Sequence, residues 1–144
     1  FAALKLDGSV VTWGAPGAGG DSSSVSHALS GGVADICATD AAFAALDEDG
    51  SVVAWGASDE GGCVGAAARQ LRGGVRRLYS TEAAFAALKF DESVVIWGTA
   101  DHGGDPGHWS EMLCDGVCEI YSTRRAFAAQ KADGTVVVWG EGIE

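Results

Sequence analysis

Short apolar runs rich in β-branched and aromatic residues alternate with turn-forming pairs along this chain. The opening string FAALKLDGSVVTW sets Asp7-Gly8 between two such runs, the strongest short-range signal for a β-hairpin. With a two-residue turn, Leu4 faces Val11, and the small Ala2 faces the Trp13 indole, which needs the room. One hairpin departs from this pattern, with Asp91-Glu92 at its turn. Glutamate disfavours the positive φ that glycine adopts freely, so that turn is expected to be strained or of another type. Gly32–Thr39, Gly74–Thr81 and Gly116–Thr123 read as further strands, each leading into the following hairpin. Ile36, Leu78 and Ile120 are their expected core anchors.

The segments between hairpin and strand have a different period. Asp105-Pro106 has the form of a helix N-cap followed by proline at the first helical position. Trp109 and Leu113 then stand one turn apart, as do Val25 and Leu29, and Ala67 and Leu71. The spacing predicts helices of about two turns over 22–30, 64–72 and 106–113, stable only when docked on the sheet edge.

These elements recur at a fixed interval. Phe1, Phe43, Phe85 and Phe127 lie 42 positions apart, and so do Trp13, Trp55, Trp97 and Trp139. Gly19-Gly20, Gly61-Gly62 and Gly103-Gly104 follow suit, as do Leu29, Leu71 and Leu113. The chain reads as one repeat domain over 1–144, with units 1–42, 43–84 and 85–126 and a partial unit 127–144. Such regularity suits units that bury their apolar faces against neighbours.

DGSVVTWG at Asp7–Gly14, DGSVVAWG at Asp49–Gly56 and DGTVVVWG at Asp133–Gly140, with the poorer match DESVVIWG at Asp91–Gly98, resemble the RCC1-type repeat, named after the regulator of chromosome condensation. Algal-type arrays of the AFAALxxDGSVVxWG pattern look closer still. The resemblance implies a mainly β fold: an RCC1-like β-propeller, or an arc of one, that holds proteins on its faces. Two departures stand out: the unit is shorter than is usual for that family, and a helix takes the place of the outer-strand segment. No exchange-factor loop or chromatin-binding basic patch matches any position, so nucleotide exchange is not carried over. An open β-solenoid and a β-trefoil are the alternative folds.

The chain's 20 acidic and nine basic side chains leave a net charge of −11, which repels phosphate backbones and argues against nucleic acid as a partner. No apolar run approaches the ~20 residues that span a bilayer. No targeting signal is legible, so the localisation is left open.

Candidate chemistry is sparse. Asp101, His102, Asp105 and His108 are metal-ligand types within eight residues, weighed against a solvated loop and helix cap. Cys37 takes the strand position of Tyr79 and Tyr121 and reads as a buried thiol, and Cys63 replaces the capping Asp21 and Asp105. Cys114 and Cys118 are a candidate bridge if the loop bends. Ser22, Ser23 and Ser24 with His27 lack the third group of a triad and read as helix caps. The glycine pairs are not followed by a phosphate-loop string. Arg69, Arg72, Arg76 and Arg77, with Arg124 and Arg125, are candidate contacts for an acidic protein or anionic lipid, against simple charge balance.

The resulting expectation is a non-catalytic protein-interaction or scaffold module without cofactor, set in a larger assembly that is in contact with a membrane complex or free of one. A metal-binding enzyme and a glycan-binding module, the latter with Trp109 as its one candidate aromatic, are the alternatives. The first hairpin is further expected to lack a strand partner and the last a docked helix, so both ends need cover from more chain, ring closure or another subunit.

Overall fold

A computed structural model describes residues 1–141; residues 142–144 at the end of the fourth unit lie outside that description. Within it, four separate antiparallel sheets follow one another along the chain. The first is the hairpin β1 (Ala2–Leu4) and β2 (Val10–Thr12). The second comprises β3 (Val33–Ala38), β4 (Ala42–Asp47) and β5 (Val52–Gly56), in that spatial order. The third comprises β6 (Val75–Ser80), β7 (Ala84–Lys89) and β8 (Val94–Gly98). The fourth comprises β9 (Val117–Ser122), β10 (Ala126–Lys131) and β11 (Val136–Gly140). Each three-stranded sheet therefore takes its leading strand from one repeat and its hairpin from the next.

The leading strands β3, β6 and β9 neighbour one another in succession, and β1 lies against β3. The sheets thus fan out as propeller blades, with the leading strands innermost. The apolar cores lie between blades. Ala2 and Val10 of the first blade meet Val33, Ala45 and Trp55 of the second across Leu29. Ala84, Ala86 and Leu88 of the third meet Phe127, Ala129 and Trp139 of the fourth across Leu113. This is an arc of propeller-type blades built from hairpin repeats, not a solenoid or trefoil.

Three local expectations need correction. The hairpin register differs by one residue: Ala2 pairs with Thr12 and Leu4 with Val10. The loop has three residues, because the Gly8 N–H donates to the Lys5 carbonyl and the Lys5 N–H to that of Ser9. Asp7 and Gly8 are the second and third loop residues, and Gly8 takes φ +84° as the bulge residue of such a loop. Phe43 therefore stands opposite Trp55, and their rings stack with centroids 5.4 Å apart.

The segments expected to be two-turn helices are wound more tightly, and in the first two units they are also shorter. They contain 3₁₀ turns at Ser23–Val25, Gly65–Ala67 and Gly107–Leu113. Leu29, Leu71 and Leu113 are nevertheless buried as the spacing implied, and the Asp105 carboxylate accepts the Gly107 N–H at 2.8 Å. The third correction concerns sulfur: all four cysteines are free, including Cys114 and Cys118. The turn at Asp91-Glu92 keeps the geometry of its siblings by holding Glu92 at φ +69°, so the mismatch is carried as backbone strain.

Candidate interaction site

Each junction between blades is closed by the same set of atoms. The Trp55 Nε1–H donates to the Gly19 carbonyl at 3.1 Å, Trp97 to Gly61 at 3.0 Å, and Trp139 to Gly103 at 3.0 Å. In every case the indole reaches back 36 residues to the glycine pair of the preceding unit. Only glycine fits there. Gly61 has φ +100°, and a Cβ on it would lie 2.5 Å from the Phe85 ring. Within a blade, the Thr39 and Thr81 hydroxyls donate to the Glu60 and His102 carbonyls at 2.9 and 2.7 Å, tying the end of the leading strand to the loop that carries the glycine pair for the next junction.

The first blade has the same aromatic pair, and there it is exposed. Phe1 and Trp13 stack at 5.6 Å, yet Trp13 is 50% exposed, while Trp55, Trp97 and Trp139 are 2%, 4% and 2% exposed.

The hairpin-turn end of the arc carries a second feature. The first loop residue of each hairpin is Leu6, Glu48, Phe90 or Ala132. Leu6 is fully exposed and Phe90 largely so. Two adjoining clefts, of about 530 and 320 Å³, run between them and share Ala34 and Glu48. Arg76 borders the second cleft, and its guanidinium donates to the Cys118 carbonyl at 3.2 Å.

The candidate arginines are distributed over different parts of the fold. Arg76 and Arg77 lie on β6, with Arg77 3.5 Å from the Glu119 carboxylate. Arg124 and Arg125 sit at the opposite end and pair with Glu82 at 3.1 and 2.8 Å, and Arg125 reaches Glu141 at 2.6 Å. Their hydrogen bonds hold the Glu82 carboxyl below its usual range, Arg125 contributing most. Arg69 and Arg72 are exposed on the turn segment after Ala67 and form no ion pair among the described residues.

The four metal-ligand types are not gathered. His102 turns toward Glu82, with Nε2 3.6 Å from its carboxylate, and its Nδ1 is buried without a partner. Asp101, Asp105 and His108 line a separate cleft of about 310 Å³ with Trp109 and Trp139. Among the described residues no group of three His, Cys, Asp or Glu is placed to hold a metal ion. The turn aspartates act on the backbone: Asp7, Asp49, Asp91 and Asp133 each accept the N–H of the residue two positions on, at 2.9–3.0 Å. No helix is long and apolar enough to cross a membrane, among the described residues.

The junction was missed in the sequence, although a signal for it was present. The first glycine of each pair stands at a constant 36-residue offset from the next tryptophan, which invites a contact across units.

No family model and no curated protein matches the chain. Solved structures do. The structure of human WBSCR16 is 20% identical and aligns over 96% of this chain and 44% of its own, with a TM-score of 0.58. Prp20p from Saccharomyces cerevisiae, described with its binding to Gsp1p and histones, is 19% identical over 72% of this chain and 30% of its own, at 0.51. Yeast RCC1 (Prp20) bound to Kap60 is 19% identical over 72% and 28%, at 0.50. The fold is thus that of RCC1-like repeat proteins, and the chain spans less than half the length of each.

Proposed function

We propose that this chain is a non-catalytic protein-interaction module, acting as a scaffold or peripheral subunit of a larger assembly. One observation carries the reading: Leu6 and Phe90 project into solvent from equivalent turn positions of one face, flanking a continuous pair of clefts with Arg76 at its border. A turn has no need of leucine or phenylalanine there, whereas interface cores are enriched in aromatic side chains and arginine. The similar structures of yeast RCC1 bound to Kap60, and of Prp20p described with Gsp1p and histones, add support from the same fold.

The deciding experiment is affinity capture from extract of the protein's own cells, using the wild type and a Leu6→Ser/Phe90→Ser variant. The expected result is a stoichiometric protein partner retained by the wild type and lost by the variant, with the thermal midpoint unchanged. Equal retention by both would remove this face from consideration.

A further inference from the structure

We infer that the cleft between the second and third blades receives a lysine or arginine side chain of the protein partner, with an apolar residue beside it resting on Phe90. The inference rests on the interaction face proposed above and names the chemistry of what binds there.

The repeat builds this cleft twice. Between the first and second blades it is lined by Lys5, Leu6, Gly8, Gly32 and Glu48. One unit later the same five positions are Asp47, Glu48, Gly50, Gly74 and Phe90. The glycine walls are kept and the side chains differ. Asp47, Glu48 and Asp49 line the second cleft with the single guanidinium of Arg76, which already donates to the Cys118 carbonyl of the fourth blade.

Asp47 marks the departure from the other units, which carry lysine at its position. The Lys89 ammonium donates to the Gln70 carbonyl at 2.8 Å, and that of Lys131 lies 3.6 Å from the Asp115 carboxylate. Asp47 sets a carboxylate where those units set a cation, and its Oδ1 is buried without a hydrogen-bond partner. Burial raises its carboxyl above the ordinary 3.8, and the charges of Asp49 and Glu48 add to the shift. A positive charge brought into the cleft offsets that repulsion.

Phe90 decides the kind of cation. It stands at the rim and is 69% exposed. A bare metal ion has no use for an aromatic rim, and among the described residues no group of three ligands is placed to hold one. The alkyl stem of lysine or arginine packs on such a ring while its charge stays among the carboxylates. The cleft, of about 320 Å³, admits that side chain with part of the segment that carries it.

The experiment selects phage-displayed random peptides on the immobilised full chain. Synthetic copies of the enriched peptides are then titrated by fluorescence anisotropy at 0.15 M salt, where exposed charges beyond ~8 Å are largely screened. The expected peptides share one lysine or arginine next to a large apolar residue. Asp47→Lys should weaken them by on the order of tenfold or more, since a charge-assisted contact is replaced by repulsion. Acetyl-lysine or citrulline at the shared position should cost as much. Asp59→Lys makes the same charge change at an exposed site past the far end of β5 and should leave binding within about twofold. Because three units already carry lysine at this position, Asp47→Lys should keep the thermal midpoint of the wild type or raise it. No enriched peptide, peptides without a shared basic residue, or equal weakening by Asp47→Lys and Asp59→Lys would each overturn the inference. Peptides lost on Leu6→Ser/Phe90→Ser but indifferent to Asp47→Lys would overturn it too, while leaving the interaction face itself standing.

Discussion

The indole of Trp97 hydrogen-bonds the carbonyl of Gly61 at 3.0 Å, and the two residues belong to different blades. That bond and its two counterparts hold the arc together with few atoms. Gly61→Ala sets a methyl 2.5 Å from the buried Phe85 ring at a backbone φ of +100°. Overpacking and left-handed strain together should cost roughly 2–4 kcal/mol in chemical denaturation. Gly17→Ala, where an added Cβ meets nothing within 4 Å, serves as the control and should change little.

The strained turn offers the opposite experiment. Glu92→Gly places glycine at φ +69°, as in the other three hairpins, and should raise stability by about 0.5–1 kcal/mol in thermal unfolding. A decrease would mean that the glutamate side chain contributes something the turn geometry does not explain.

Two carboxyls should shape the pH dependence in opposite directions. The arginines hold Glu82 below its ordinary 4.5, so its contribution is complete above that value and is lost as pH falls through the folded-state pKa. Glu82→Gln should flatten that acid limb of the melting curve. Asp47 lies where the other units carry Lys5, Lys89 and Lys131. Burial, then its neighbour Asp49, raises its carboxyl above the ordinary 3.8. Its penalty is absent below 3.8 and develops as pH climbs through the folded-state pKa, so Asp47→Asn should stabilise the protein at neutral pH and not at pH 3. Melting temperatures across pH 3–7 check both signs.

The cysteines predict a labelling pattern. Cys63, Cys114 and Cys118 are exposed and free. The Cys37 thiol is pushed up to about 11, chiefly by burial and then by Asp35. Iodoacetamide at pH 8 should therefore modify three thiols quickly and Cys37 much more slowly. Reducing agent should leave the melting temperature unchanged.

Much of the fold was legible in the residues, because Asp-Gly between β-branched runs and an unbroken spacing leave little freedom in where hairpins form. The register was not, since Asp7-Gly8 also suits a two-residue turn. The bonds from Gly8 to Lys5 and from Lys5 to Ser9, with Leu4 paired to Val10, show that Leu6 belongs to the loop. Val25 and Leu29 share a face in an α-helix and equally in a 3₁₀ turn followed by a single α-type turn, in which the Leu29 N–H donates to the Val25 carbonyl at 3.2 Å, so their spacing identified the buried leucine and not the helix length or type. Nearness in sequence did not show how the arginines are distributed, because in a strand-and-turn repeat Arg72 falls on a turn segment and Arg76 on an inner strand. Leu6 and Phe90 escaped notice because apolar residues next to a turn read as strand ends until the loop length is known.

The backward reach of each tryptophan gives the arc a direction, and with it a timetable during synthesis. When a glycine pair such as Gly19-Gly20 leaves the ribosome, the indole that will secure it is still 36 residues away. At roughly 5–20 residues per second, each unit waits on the order of seconds for its successor. A blade is therefore completed by the sequence that follows it, and a pause within one unit leaves the preceding one unfastened.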